Sequence, residues 1–178
     1  MCVFQGEELG LGEADVPYES LRDPYGIAFW PAFKGRDGCR TPMPWDATPL
    51  AGFSTGQPWL PVPAQHLALN VSAQERDPTS ALHGFRRLLA WRRQHPVLIT
   101  GDIEFLGATD AVLAFRRFDR SQSMLVAFNL SHAPASIVLP GYETGSSVGG
   151  HGLPEGAFAS ATLSLPAHGV AFFQLPAR

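Results

Sequence analysis

The chain contains 178 residues, enough for one or two domains, and carries a formal net charge of −3. Hydrophobic residues make up 45% of the sequence and charged residues 16%, so the chain can bury a core and is not of the disordered type. The acidic balance argues against a nucleic-acid partner, and the lack of a long apolar run in the sequence argues against a membrane span.

The two cysteines, Cys2 and Cys39, are too few for a disulfide scaffold, and they do not have the spacing of metal ligands. This usage favours a reducing compartment, and we expect a cytoplasmic protein. The first residues have neither a basic segment nor a long apolar one, so they do not predict a signal peptide. No cluster of ligand residues in the sequence predicts a cofactor.

The first predicted element is a short buried strand at residues 2–5. It is followed at once by Glu7 and Glu8, two adjacent carboxylates. They could act as an acid/base pair, but the side chains of sequence neighbours usually point apart, so a structural role is favoured. Because a globular domain rarely begins inside a buried strand, we expect this sequence to start midway through a larger protein.

The next stretch is rich in glycine, proline and aromatic residues and predicts mostly loops. Short helical turns are expected near residues 17–21 and 24–30, where proline suits a first turn. Residues 35–70 are expected to form a long irregular connection. Loops of this length are uncommon in compact domains and are often functional.

Residues 35–46 form the most distinctive motif of the chain, Gly-Arg-Asp-Gly-Cys-Arg-Thr-Pro-Met-Pro-Trp-Asp. Its two prolines stiffen the backbone next to Arg36, Arg40 and Trp45. Guanidinium groups supply fixed donors and an indole supplies a flat apolar face, a combination that suits a ligand rich in hydroxyl groups. The alternative is an ordinary surface loop whose arginines pair with local carboxylates, and the residues alone leave both interpretations open.

One amphipathic helix is predicted over residues 77–94. Asp77 is the expected N-cap, Pro78 occupies the first helical position, and Pro96 ends the helix. The apolar stripe consists of Leu82, Phe85, Leu88 and Leu89, with Trp91 beside it. The arginines of this segment lie mostly on the opposite, solvated face.

The last part of the sequence consists of short strand-like runs separated by turn residues. The predicted strands are residues 103–106, 111–118, 124–130, 136–139, 162–165 and 170–175. Residues 119–122 are expected to form a hairpin turn, and the Gly- and Ser-rich residues 141–160 a loop. This pattern predicts a small antiparallel β-sandwich, so we expect a domain of residues 1–99 followed by a β domain of residues 100–178.

Taken together, these segments resemble the C-terminal part of an α-glucosidase of the α-amylase superfamily (glycoside hydrolase family thirteen), on the oligo-1,6-glucosidase side and in its bacterial α-glucosidase branch. The matching stretches are residues 4–10 (FQGEELG), 15–18 (DVPY), 22–26 (RDPYG), 35–46, 70–74 (NVSAQ) and 88–93 (LLAWRR). The resemblance is strong over residues 2–106 and rests on architecture alone beyond them. The run from Arg40 to Asp46 is quite specific, although most relatives have glutamine where Pro44 stands.

The resemblance implies an α/β fold followed by an all-β domain, with this chain supplying the last βα unit of a (β/α)8 barrel and a small antiparallel β-sandwich. Residues 2–5 would be the eighth strand and residues 77–94 the eighth helix. Active sites of such barrels lie at the C-terminal ends of the strands, so Arg36, Asp37 and Arg40 are expected to bind substrate. Arg40 corresponds to the family's substrate-contacting arginine in this loop, and would pair with an aspartate from the first part of the barrel.

The resemblance also implies a retaining mechanism, in which a carboxylate nucleophile and a carboxylic acid/base flank the glycosidic bond. The family carries both on earlier strands, and no residue of this sequence matches either, so no catalytic residue is predicted here. The implied activity is hydrolysis of terminal non-reducing α-linked glucose from oligosaccharides or sucrose, in carbohydrate metabolism and without a cofactor. The implied partners are the α-glucoside and the missing N-terminal part of the barrel.

Two alternatives remain open. The chain could belong to a related transglycosylating or isomerising enzyme that forms trehalose or isomaltulose, since these enzymes share much of the motif. It could instead be a non-catalytic β module that binds carbohydrate or a partner protein, with Trp30, Trp45 and Trp59 as stacking surfaces.

Overall fold

The computed structural model describes residues 2–143 and 145–176. The chain divides into two compact units, Met1–Arg86 and Arg87–Arg178, and the division falls within one helix. The domain boundary expected from the sequence, between residues 99 and 100, remains a prediction. None of the helices in the described residues is both long enough and apolar enough to cross a membrane.

The first unit is built from short helices joined by loops. Its α-helices are α1 (Pro24–Ala28), α2 (Ala64–Leu67) and α3 (Val71–Glu75), and its 3-10 turns are Glu7–Leu9, Tyr18–Ser20 and Asp37–Cys39. Helix α4 (Ala81–Arg93) begins in the first unit and continues into the second. The helical turns expected near residues 17–21 and 24–30 are confirmed. At the start of α1, Asp23 Oδ1 accepts a hydrogen bond from the backbone N–H of Tyr25 at 3.1 Å, which satisfies a donor that the helix leaves unpaired.

Buried hydrogen bonds and two small apolar clusters hold this loop-rich unit together. The Gln74 side chain is buried, and its Nε2 donates to the carbonyls of Leu9 and Leu69, each at 2.9 Å. Its Oε1 accepts from the backbone N–H of Leu82 at 2.9 Å. The apolar clusters comprise Leu9, Met43 and Leu82, and Val16, Leu21 and Leu60. Because these clusters are small, side-chain bonds to the backbone are needed to fix the loops.

Residues 2–5, expected to form a buried strand, do not form one. They have no regular secondary structure, and Val3 and Phe4 are 39% and 53% exposed. A strand requires hydrogen bonds to a neighbouring strand, and within residues 2–143 and 145–176 no strand pairs with this segment. The apolar pattern therefore identified a sequence suited to a sheet, but the described part of the chain supplies no partner strand.

Helix α4 begins later than expected, at Ala81, and the prediction that Asp77 caps it is wrong. Asp77 Oδ1 accepts from the backbone N–H and the hydroxyl of Thr79, at 2.8 and 2.7 Å, so this carboxylate closes a turn before the helix. The carbonyl of Ser80 accepts a hydrogen bond from the backbone N–H of Gly84 at 2.9 Å. The helix therefore starts after Ser80.

The second unit contains two antiparallel sheets and the short helix α5 (Val97–Thr100). The strands are β1 (Asp102–Ala108), β2 (Val112–Phe118), β3 (Ser123–Asn129), β4 (Ala135–Val138), β5 (Ser146–Ser147), β6 (Ala157–Ala159), β7 (Thr162–Leu165) and β8 (Val170–Gln174). One sheet has the order β1-β2-β3-β8-β5 and the other the order β4-β7-β6. The six strands predicted between residues 103 and 175 are confirmed, whereas β5 and β6 fall within the expected loop at residues 141–160.

Strand β3 is buried on both faces and organises the core of this unit. Leu125 and Ala127 belong to an apolar cluster that includes residues of both sheets. Met124 and Val126 belong to a second cluster, which includes Trp91. Because successive side chains of a strand point to opposite faces, the larger sheet is covered by apolar residues on each side.

The turn between β2 and β3 confirms the expected hairpin. The backbone N–H of Asp119 donates to the carbonyl of Gln122 at 2.9 Å. Asp119 Oδ1 accepts from the backbone N–H groups of Ser121 and Gln122 at 2.7 and 2.8 Å, and these bonds lower the pKa of Asp119 below its ordinary value. The ionised carboxylate therefore stabilises the turn.

Candidate functional site

A cavity of about 500 Å³ in the first unit contains two of the three predicted site residues, Arg36 and Arg40. Its wall also includes the polar side chains of Glu7, Glu13, Thr41 and His66 and the apolar side chains of Leu11 and Met43. The third predicted residue, Asp37, does not line it. A cavity of this size is within the usual range for a small-molecule site.

Arg36 is held in place by a buried carboxylate. Its Nε and Nη2 donate to Asp23 Oδ2 and Oδ1 at 2.7 and 3.2 Å, and its backbone N–H donates to Oδ2 at 3.0 Å. The Asp23 side chain is fully buried, whereas the Arg36 side chain is 59% exposed. The hydrogen bond from Arg36 holds the pKa of Asp23 well below its ordinary value, and Asp23 in turn raises the pKa of Arg36. The guanidinium is therefore permanently charged and fixed in direction.

Asp37 fixes the backbone that carries Asp23. Its Oδ2 accepts from the backbone N–H groups of Arg22 and Asp23, at 2.5 and 2.7 Å. Its Oδ1 lies 3.9 Å from Arg40 Nη1, and Asp23 Oδ2 lies 4.0 Å from the same nitrogen. Two buried carboxylates thus balance the charges of Arg36 and Arg40, and the closest pairing is that of Arg36 with Asp23.

Gly35 allows the segment that carries Arg36 to lie close to the segment that carries Asp23. Its φ is +77°, a conformation that L side chains rarely adopt, and a Cβ there would lie 2.9 Å from the Cα of Gly26. Gly26 lies in α1, and Asp23 is the N-cap of that helix. A side chain at position 35 would therefore push α1, and Asp23 with it, away from Arg36. The glycine of the sequence motif thus has a packing role beside the charged residues.

Sequence reasoning missed His66, a buried residue in the cavity wall. Its Nε2 lies 2.9 Å from the carbonyl of Gly12, and its Nδ1 lies 3.4 Å from Thr41 Oγ1. Because a carbonyl can only accept, Nε2 carries the proton and Nδ1 accepts from the hydroxyl. Gly12 is 54 residues away along the chain, so no local spacing signals this contact.

The adjacent carboxylates Glu7 and Glu8 bind backbone groups. Glu7 Oε2 accepts from the N–H of Phe4 at 3.2 Å, and Glu8 Oε2 accepts from the N–H of Gly6 at 2.9 Å. This arrangement agrees with the structural role that the sequence favoured. Among the described residues, no group of three or more His, Cys, Asp or Glu side chains is placed to hold a metal ion. The cavity offers guanidinium donors and carboxylate acceptors, the two kinds of partner that ligand hydroxyl groups need.

Comparison with known proteins finds one matching protein family and several relatives. The Alpha-amylase family, described as Alpha amylase, catalytic domain, matches residues 1–101. A probable alpha-glucosidase of Rhizobium meliloti (strain 1021) is 45% identical over 175 residues, which cover 98% of this chain and 31% of the relative. A probable oligo-1,6-glucosidase 3 of Bacillus subtilis (strain 168) is 33% identical over 153 residues, which cover 75% of this chain and 27% of the relative.

Solved structures agree with the sequence relatives. The crystal structure of an alpha-glucosyl transfer enzyme, XgtA, is 48% identical and matches with a TM-score of 0.91, covering 98% of this chain and 32% of that chain. The chain thus spans about a third of the length of these relatives. The fold class predicted from the sequence, the last βα unit of a (β/α)8 barrel followed by a small antiparallel β-sandwich, is confirmed, although residues 2–5 lack a sheet partner among the described residues.

Proposed function

Since the chain belongs to the α-amylase family, we propose that it is part of a retaining α-glucosidase that hydrolyses terminal non-reducing α-linked glucose from oligosaccharides or sucrose. The relatives named as a probable alpha-glucosidase and a probable oligo-1,6-glucosidase support this substrate class. The observation that carries the proposal is the pair of Arg36 with Asp23, because it fixes a charged guanidinium in the wall of a cavity large enough for a sugar. The exposed, unbridged cysteines support a cytoplasmic location.

In this proposal, Arg36 and Arg40 bind the glucose unit. Their N–H groups donate to sugar hydroxyls, and the rigid fork of each guanidinium orients the ring. Asp23 positions Arg36, and Asp37 holds the backbone of Asp23, so both carboxylates are positioning residues. Holding the sugar in a fixed orientation relative to the reacting groups is how such a wall contributes to rate.

The nucleophile and the acid/base belong, on this proposal, to a part of the enzyme outside this chain. A retaining glycosidase places these two carboxyl groups on either side of the scissile bond and forms a covalent glycosyl–enzyme intermediate, which water then hydrolyses. Transfer to another sugar differs only in that an acceptor hydroxyl attacks the intermediate. The similarity to an alpha-glucosyl transfer enzyme therefore supports transglycosylation or isomerisation as an alternative with the same roles for Arg36 and Arg40.

A non-catalytic binding module is the second candidate, and two exposed tryptophans favour it. Trp45 and Trp59 are 51% and 73% exposed, so each offers a face for stacking on a sugar ring. Trp30 is less available, because its ring packs on Tyr18 with 5.6 Å between centroids and lies 5.5 Å from the Lys34 ammonium. Under this alternative, ligand contacts map to the tryptophans and not to the arginine-lined cavity.

Activity and binding assays on the purified 178-residue chain test the proposal. We expect no release of p-nitrophenol from p-nitrophenyl α-glucoside, because the reacting carboxylates lie elsewhere. We expect saturation-transfer NMR to detect binding of the same compound, and Arg36→Gln and Arg40→Gln each to reduce the signal to background. Arg76→Gln removes an exposed arginine outside the cavity and should leave the signal unchanged. Turnover by this chain, or binding that survives both cavity variants, would contradict the proposal.

A further inference from the structure

Two exposed histidines on neighbouring turns of the second unit form a pair that the proposed function does not use. His132 lies between β3 and β4, and His168 lies between β7 and β8. His168 Nε2 and His132 Nδ1 are 2.9 Å apart, and the two ring planes are nearly perpendicular, at 89°. Both side chains are exposed to solvent, so a ligand from solution can reach the two facing nitrogens.

A buried asparagine fastens the two turns together. Asn129 Nδ2 donates to the carbonyls of Ala133 and Pro166 at 2.7 and 2.8 Å, and these carbonyls belong to different turns. A second cross-link joins the backbone N–H of His168 to the carbonyl of Ser131 at 3.1 Å. The two imidazoles are therefore carried on a rigid backbone, which is what a preorganised ligand site requires.

The backbone of His168 has an uncommon conformation. Its φ is +52°, in the left-handed region that non-glycine residues seldom occupy. The turn is closed by a hydrogen bond from the N–H of Gly169 to the carbonyl of Pro166 at 2.9 Å. Glycine would adopt this conformation without strain, so the turn holds an imidazole beside His132 at a conformational cost.

We propose that His132 and His168 chelate a divalent cation of tetragonal geometry, Cu²⁺ or Ni²⁺. Neutral imidazole nitrogen is a preferred ligand of these metals. With metal–nitrogen bonds of about 2.0–2.1 Å, two nitrogens at a right angle lie about 2.9 Å apart, whereas tetrahedral ligands lie about 3.3 Å apart. The observed separation of 2.9 Å is set by the hydrogen bond between the rings, and it also equals the spacing that a right angle at the metal requires.

Metal binding replaces the hydrogen bond between the two rings. The ring that donates this bond takes its proton on the other ring nitrogen, so that both facing nitrogens present a lone pair. Because both rings are exposed, each can rotate about its side-chain bonds to direct its lone pair at one metal ion. Water occupies the remaining ligand positions.

Titration of the full chain with Ni²⁺ tests this site, with the exposed Cys2 and Cys39 alkylated beforehand. Calorimetry should detect a single bound ion, and the paramagnetic ion should broaden the amide signals of the two turns first. His132→Gln and His168→Asn should each weaken binding by about tenfold or more, because each removes one of two ligands. Asparagine tolerates the left-handed backbone at position 168, so the second variant keeps the turn.

His83→Gln is the matched control, because it removes a histidine of the first unit. It should leave the Ni²⁺ affinity unchanged, and circular dichroism should show that every variant remains folded. Equal Ni²⁺ affinity in the original chain and in both pair variants would overturn the proposal, as would broadening centred away from the two turns. Such a failure leaves the proposed glucosidase function intact, since the arginine-lined cavity lies in the first unit.

Discussion

The Asp23 carboxylate makes contacts of three kinds. It accepts from the Tyr25 backbone at the start of α1, from the Arg36 side chain and from the Arg36 backbone. Asp23→Asn keeps the shape but removes the charge, so we expect weaker binding of p-nitrophenyl α-glucoside by saturation-transfer NMR. We also expect the first unit to unfold at a lower urea concentration. Asp15→Asn, which removes an exposed partner of Lys34, is the control and should change neither measurement.

The same carboxylate predicts how acid affects the first unit. Hydrogen bonding lowers the pKa of Asp23 below its ordinary value of 3.8, so the ionised form stabilises the folded state. This contribution is present above pH 3.8 and is lost as the pH falls below it. The stability difference between the original chain and Asp23→Asn should therefore shrink in urea-unfolding experiments between about pH 4 and 2. A difference that stays constant over this range would show that the pair does not contribute.

His151 gives the second unit a separate pH dependence. Its ring meets Trp91 edge-on with 5.3 Å between centroids, and burial lowers its pKa below 6.5, an effect that Glu155 at 3.7 Å opposes. The folded chain therefore favours neutral His151. The contribution of His151 to stability is fully present above pH 6.5 and is lost as the pH falls below it, because the unfolded chain gains a proton that the folded chain excludes.

His151→Phe should make the stability of the second unit less dependent on pH between about pH 6.5 and 5. Urea unfolding monitored through the amide signals of β8 measures this. A profile identical to that of the original chain would show that His151 titrates equally in both states.

The residues of the site differ in how far sequence alone identifies them. Arg36 and Arg40 belong to a distinctive local motif, and their contact with sugar remains a prediction. Asp23 is 13 residues from Arg36, and His66 is 54 residues from Gly12. These partners meet only because the loops fold back on one another, which no local pattern encodes.

At the scale of single elements, β4 offers a direct test of the sandwich. Ile137 is 8% exposed and belongs to the cluster shared by the two sheets, whereas the adjacent Val138 is 62% exposed. Ile137→Ala should lower the free energy of unfolding of the second unit by about 2–5 kcal/mol, because it leaves a cavity in this cluster. Val138→Ala should lower it by about 0.5 kcal/mol or less. Equal losses in urea unfolding would contradict the described packing.

Elements with a strong local pattern are the ones that sequence predicts well. The longer strands of the second unit contain runs of apolar residues bounded by turn residues, as in β3 with its hairpin at residues 119–122. Strands β5 and β6 contain two and three residues, too few to show any period. Residues 2–5 have a pattern that predicts a strand but do not form one, because an apolar run becomes a strand only beside a partner strand.

At the scale of the whole molecule, the chain combines two parts of different character. The Alpha-amylase catalytic-domain match ends at residue 101, and β1 of the sandwich begins at Asp102. The matched relatives are about three times as long as this chain, since it covers 31% and 32% of two of them. We therefore propose that the first unit supplies one wall of a sugar pocket whose reacting carboxylates belong to the rest of a longer enzyme.

The central claim is that the arginine-lined cavity binds an α-glucoside, and a ¹H–¹⁵N NMR titration of the 178-residue chain with maltose tests it most directly. We predict that the Nε–H signals of Arg36 and Arg40 and the amide signal of Thr41 shift together as maltose is added, while signals of the second unit stay in place. Shifts confined to the indole N–H signals of Trp45 and Trp59, or no shifts at all, would contradict the account.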